Sequence, residues 1–309
     1  MKIIDTTTYF EEKMMMGLRL NILGPFVDKF IVCEARFSHS GNEKEIKFNK
    51  KDFPEFEDKI IHVIVDKEPS DIIKKKELSS LELRLNSVSR IKEQRNFIGN
   101  SLNNYSSEDY IIHSDNDEIP NLEQFDLRIN KKKIVIFNQA LFYYKFNLCL
   151  PHVNWFGSKA CKLKDLKNID LLRAIKNKKY PFYRVDTLFS DIKYQSVNLV
   201  SNGGWHFSNL KNVEELERKF LNDENHSEYE WQGHDIDRIK QNIKEDAFTI
   251  LFCGMPIYRK GFDIIINLWP KIVENIPNAI LIVVGPNKHR TLNDDSLPSS
   301  QLQYNATLY

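Results

Sequence analysis

A short apolar run that ends in a cluster of acids, Tyr110 to Pro120 (YIIHSDNDEIP), limits the possible folds of this chain more than any other stretch. Tyr110 to His113 read as a buried strand, and Asp115, Asp117 and Glu118 come directly after it. In open α/β sheets ligands collect outside the carboxyl ends of the strands. Two acids at i and i+2 there can face one crevice and share a hard divalent cation. Pro120 is expected to stop the strand. The alternative is a polar turn with solvated acids, because Asp and Asn are ordinary turn residues.

The flanking segments supply what such a crevice needs. Tyr9 to Leu23, with Met14 to Met16, Leu18, Leu20 and Ile22 at near-helical spacing, reads as an opening amphipathic helix. Phe30 to Cys33 reads as a strand that leads through Glu34 into the polar loop Arg36 to Asn42, with Ser38, His39, Ser40 and Gly41. Lys59 to Asp66 is a second buried strand. Ser70 to Asn100 is helical in period and brings Arg95 and Asn96 late, toward the crevice. Lys133 to Gln139 and Leu141 to Phe146 are further strands. Between Pro151 and Asn198 the pattern is irregular, with a basic helix near Leu171 to Lys179 and aromatics that suit either a sugar-binding wall or a core.

In Asn202 to Ser208 (NGGWHFS) two glycines permit close backbone approach. His206, flanked by aromatics, can supply the nitrogen ligand that a pair of carboxylates lacks. The helix Val213 to Leu221 carries Glu214 near its start, a candidate general base, with Glu118 as the alternative. Glu214 also suits a helix N-terminus, where a carboxylate meets the positive end of the dipole.

The 309 residues accommodate one large domain or two modest ones. A break at residues 244 to 247 separates domain 1–244 from 245–309, where Phe248 to Cys253, Phe262 to Asn275 and Ala279 to Val284 form one parallel βαβ unit, Rossmann-like and cut short. Its tail, from Pro286, reads as disordered. Forty-four basic and 43 acidic residues leave a net charge of +1, so no overall field recruits nucleic acid or an anionic membrane. Lys74 to Lys76 and Lys131 to Lys133 read as solvated faces. The four cysteines are scattered as reduced thiols. With neither a signal-length nor a membrane-length apolar run, the chain is expected to be cytoplasmic, without a membrane span and with at most peripheral membrane association.

The first part of the chain, from about Tyr9 to Glu228, resembles glycosyltransferase family 17, whose members include β-1,4-mannosyl-glycoprotein N-acetylglucosaminyltransferases. The likeness rests on VDKFIVCEARFSHSG (Val27 to Gly41), DKIIHVIVD (Asp58 to Asp66), EQRN (Glu93 to Asn96), SDNDEIP (Ser114 to Pro120) and GGWHFS (Gly203 to Ser208). It implies an α/β, GT-A-like nucleotide-sugar-binding domain with a mixed sheet, a UDP-sugar donor, a divalent cation (Mn or Mg), a glycan or glycolipid acceptor and an inverting reaction, with GlcNAc the sugar expected. Carried over by position, Asp115, Asp117 and His206 would hold metal and diphosphate, while Glu34, His39, Ser40, Gly41, Arg95, Asn96 and Asp115 would shape the nucleotide pocket. The segment Phe252 to Gly285 is similar to the start of the C-terminal domain of GT-B glycosyltransferases of family 4 type, where Arg259 and Lys260 match a phosphate-binding pair. The alternative reading is a glycan-binding protein that keeps the fold without turnover; an aspartyl phosphatase, which would use the first Asp as nucleophile, fits less well, because Glu118 stands where that motif carries a small hydroxyl residue.

Overall fold

Ile3–Tyr9 forms β1, and it sits at the heart of the molecule. Its Ile and Thr side chains are β-branched and suit a pleated surface buried on both faces. In the computed structural model, which describes residues 1–146, 149–224 and 226 and the segments Thr249–Cys253, Phe262–Asn275, Ile280–Val284 and Ala306–Leu308, β1 runs parallel between two neighbours. These are β2 (Lys29–Ala35) and β4 (Tyr110–His113). The expected opening helix is therefore shorter than its sequence pattern, because Tyr9 ends a strand and α1 covers only Lys13–Leu23.

The main sheet has seven strands in the order β10-β6-β9-β4-β1-β2-β3, where β3 is Ile60–Val65, β6 Ile134–Phe137, β9 Lys159–Lys162 and β10 Val197–Val200. It is mixed, since β9 runs antiparallel between β4 and β6 while the other pairs are parallel. One face carries α1, with Met16, Leu20 and Leu23 fully buried against Phe30, Val32 and Tyr110. On the other face α2 (Ser80–Phe97) starts at a capping box between Ser79 and Glu82, and Gln94 Nε2 donates to Cys33 O at 2.9 Å. α3 (Ile169–Ala174) packs its Ile169 and Leu172 into the same layer.

A second sheet, ordered β5-β11-β7-β8, joins Glu118–Pro120 (β5), Gly204–Ser208 (β11), Gln139–Tyr143 (β7) and Cys149–Trp155 (β8). The strand that ends at Pro120 is β5 and not β4, which already stops at His113; Pro120 is the last residue of β5 and pairs with Gly204 on an edge strand, where its missing N–H costs nothing. The pairing needs Gly204, whose φ is +126° and where a Cβ would lie 2.1 Å from Ile119 O. α4 (Val213–Asn222) follows, opened by a capping box between Asn212 and Glu215.

Farther along, β12 (Thr249–Cys253) and β13 (Ile280–Val284) are parallel and flank α5 (Phe262–Asn275), which is the expected βαβ unit. Of the tail expected to be disordered, Ala306–Leu308 is a strand, β14, that extends this small sheet. The rest of the tail, the domain boundary near residue 244, and Arg259 with Lys260 lie outside the described residues. Among the described residues no helix is long and apolar enough to cross a membrane.

Candidate functional site

The parallel strands β1, β2 and β4 end on one edge of the main sheet, and a cavity of about 1400 Å³ opens there. Its walls include Phe10 to Met15 beyond β1, Phe37 to His39 beyond β2, Asp115 to Glu118 beyond β4, and Gln94 and Arg95 of α2. The second sheet closes the far side with Trp155, His206 and Phe207, and Arg173 enters from α3. The acids of the DND segment therefore do face one crevice at a strand end.

The backbone turn that carries them is held from below. Arg19 is completely buried and forks onto Asp5 with Nε–Oδ2 2.7 Å and Nη2–Oδ1 2.6 Å. The same guanidinium donates to Ser114 Oγ at 2.7 Å, to Asp115 O at 3.2 Å and to Glu118 O at 2.7 Å. Asp115 N donates to Glu118 Oε2 at 3.0 Å, which closes the turn on itself.

Each predicted site residue has a definite place. Asp115 receives Arg173 Nη2 on Oδ2 at 2.8 Å and Arg95 Nη2 on Oδ1 at 3.3 Å. Burial alone would raise its pKa, but the two guanidiniums, Arg173 foremost, hold it far below the usual carboxylate range. Asp117 lies 3.5 Å (Oδ2) from His206 Nε2. Burial opposes its ionisation too, and the His206 contact outweighs that and lowers its pKa. Strand pairing brings His206 here, because it stands opposite Glu118 between β11 and β5, and Phe207 N donates to Asp117 O at 2.8 Å. The Trp155 ring lies over the imidazole with centroids 4.3 Å apart.

Glu118 is buried and fully engaged, taking Trp155 Nε1 at 2.7 Å and both Nη atoms of Arg173 at 2.7 and 2.8 Å. His39 lines the cavity, whereas Ser40, Gly41 and Glu34 do not. Glu34 turns its carboxylate to Lys44 at 2.5 Å and to the Lys47 and Phe48 amides. Gly41 adopts φ +100° and packs against the Arg90 guanidinium, so it shapes the loop behind the cavity. Asn96 accepts from Asp170 N at 3.1 Å and tethers α3, which carries Arg173, to α2. Glu214 sits on the first turn of α4 outside the lining; its neighbour Glu215 lines the cavity while capping the helix at Asn212 N.

Sequence reasoning did not single out Arg19 or Arg173. The first was one charge among methionines, and the second one base among many in 171–179. Neither stands in a motif; what identifies them is contact with carboxylates outside their own segment, Asp5 for the buried Arg19, and Asp115 and Glu118 for Arg173.

The donor chemistry of the cavity can be tested against a metal ion. Among the described residues no group of three or more His, Cys, Asp or Glu side chains gathers around one point. Asp117 and His206 supply two donors. That number fits Mg or Mn, which are usually held by one or two protein ligands, with substrate phosphates and water completing the shell. Asp115 is instead spoken for by the two arginines.

A family model described as glycosyltransferase family 17 matches residues 1–167, which include Asp115, Asp117, Glu118 and Arg95. No curated protein matches. Among solved structures, the crystal structure of HddC from Yersinia pseudotuberculosis is similar over 66% of this chain and 92% of that one, at 8% identity and a TM-score of 0.30, too slight a likeness to bear on the site.

Proposed function

Because the chain belongs to glycosyltransferase family 17, we propose that it moves a sugar, GlcNAc, from a UDP-linked donor to a hydroxyl of a glycan or glycolipid, with inversion. The observation that carries this reading is the meeting, at one strand edge, of two carboxylates with Arg95, Arg173 and His206 in a cavity large enough for a nucleotide sugar. Family membership makes the chain a glycosyltransferase with a sugar-nucleotide donor and a glycan acceptor; the choice of uridine, GlcNAc and stereochemistry is our inference. We also place the reaction in the cytoplasm, in keeping with Cys33, Cys149 and Cys161 being free thiols.

Departure of a nucleoside diphosphate requires neutralisation of developing negative charge. A divalent cation held by Asp117 and His206 would supply that as a Lewis acid. Arg95 and Arg173 add fixed positive charge beside it, and guanidinium forks match phosphate geometry. Glu118 keeps Arg173 in place, so its role in this scheme is positioning. Its oxygens are too fully engaged for it to be a good base toward the acceptor. Glu214 lies outside the cavity lining, on the first turn of α4. Trp155 offers an apolar face for a sugar ring.

The test is release of UDP from UDP-GlcNAc by the purified chain with Mn, compared with Asp117→Asn. Turnover that disappears in the variant supports the proposal. Tight glycan binding with no turnover on any of a panel of UDP- and GDP-sugars would instead favour a binding protein that has kept the fold.

A further inference from the structure

Among the described residues, one segment leaves its apolar side chains outside both hydrophobic clusters and outside the cavity at the strand edge. Between α3 and β10, residues 176–193 form a closed loop, in which Lys176 N donates to Ile192 O at 2.8 Å. Phe182, Tyr183, Val185, Leu188 and Phe189 on it are 89%, 67%, 62%, 74% and 86% exposed, and none lines the sugar-site cavity. These aromatics therefore serve neither as core nor as a wall of that cavity.

The loop is nonetheless built. Gln195 Nε2 donates to Thr187 Oγ1 at 2.8 Å and to Phe182 O at 3.2 Å, Thr187 Oγ1 donates to Arg184 O at 2.6 Å, and Val185–Leu188 make one 3-10 turn. Its backbone conformation is fixed while its apolar side chains point away from the protein.

Charge on the loop is uneven. It holds five bases, Lys176, Lys178, Lys179, Arg184 and Lys193, against Asp186 and Asp191. Asp186 is taken by Arg184 (2.7 Å) and Lys193 (2.9 Å), and Asp191 by Lys167. Lys176, Lys178 and Lys179 pair with no carboxylate among the described residues. A local excess of base that the balanced chain as a whole conceals is thus placed beside exposed aromatics.

We propose that the 176–193 loop docks the protein on an anionic lipid bilayer, its aromatic and aliphatic side chains entering the interface while Lys176, Lys178 and Lys179 meet the headgroups. Two arguments favour lipid over a protein partner. Side chains exposed to this degree form no groove that could receive a partner's knob, whereas a fluid interface closes around isolated projecting rings. Phe and Tyr interleaved with bases also match both layers of that interface, apolar below and anionic above. The loop starts directly after α3, which bears Arg173, so docking would hold the cavity near acceptors embedded in the membrane. The inference itself does not depend on the sugar-transfer reading.

Flotation with vesicles of phosphatidylcholine, with and without phosphatidylglycerol, tests it. Wild type should float with the mixed vesicles in low salt, and at least about tenfold less with phosphatidylcholine alone. Each base near such a surface contributes about fivefold to partition, so Lys176→Gln with Lys178→Gln and Lys179→Gln should lose about a hundredfold. Phe182→Ser with Phe189→Ser should also lose binding while keeping the wild-type circular dichroism spectrum. Binding that is equal on both vesicles, absent on both, or unchanged in either variant overturns the proposal. So does a concentration-dependent dimer abolished by the Phe substitutions, which would make a second copy the occupant.

Discussion

Arg19 Nη1 donates to the main-chain oxygen of Glu118 at 2.7 Å from a side chain with no exposed surface. A charge buried in α1 thereby sets the backbone from which the acids of the cavity project. Its partner Asp5 is only 1% exposed, so removing Arg19 strands a buried carboxylate. Arg19→Met should cost about 3–5 kcal/mol of stability in urea unfolding. Replacing Asp5 by Leu as well should recover part of it, because an apolar pair leaves no unpaired charge. A single-site loss below about 1 kcal/mol would mean that water reaches Asp5.

Gly157 tests the packing on the opposite side of Glu118. A Cβ there would stand 2.3 Å from Glu118 Cδ and 2.6 Å from Gln139 Oε1. Gly157→Ala should therefore push the carboxylate away from Arg173, costing about 1–3 kcal/mol and lowering turnover. Gly99→Ala is the control, since nothing lies within 4 Å of its added carbon. Its effect should stay within about 0.5 kcal/mol.

How much of this was legible in the sequence follows from how local each signal is. The acidic strand end, α4 and the βαβ unit were readable, because apolar runs and periodicity announce them within a few residues. β1 was not, since Asp5 and the Thr run look exposed until Arg19, fourteen residues on, neutralises the acid. Arg173 was hidden for the same reason: its partners Asp115 and Glu118 lie more than fifty residues earlier. Pro120 does mark a strand end, but that of β5, a three-residue edge strand whose pairing with β11 no local signal announces. The whole-chain charge balance likewise concealed the excess of base on the 176–193 loop.

Asp115 and Asp117 should behave differently toward a cation. Among the described residues His206 is the ion-pair partner of Asp117, and Asp117→Asn should weaken Mn binding, followed by electron paramagnetic resonance with UDP present, by at least about tenfold. Asp115→Asn should keep Mn bound, since its oxygens serve Arg173 and Arg95. EDTA should abolish turnover and Mn restore it. Loss of Mn in Asp115→Asn as well would show that the arginines yield Asp115 to the metal when donor binds.

Lys159 gives the pH dependence. It is 4% exposed, donates to Arg173 O and Ile175 O at 2.5 Å each, and so fastens the end of α3. Burial first, and then the Arg173 guanidinium, lower its pKa from 10.5 to about 7. The folded state therefore binds fewer protons than the unfolded state between those values, so stability should rise with pH across that window, by up to about 1.4 kcal/mol per pH unit. Below about pH 7 both states carry the proton, and the contribution is flat. Cys33 and Cys161, pushed up to about 12 by burial, act in the opposite sense once unfolded thiols ionise, so the slope is best read below pH 8.5. Urea midpoints between pH 7 and about 8.5 should climb for wild type and stay level for Lys159→Met. Equal slopes in the two proteins would show that the Lys159 ammonium keeps its proton in the fold, with its two carbonyl partners sufficient to hold the charge.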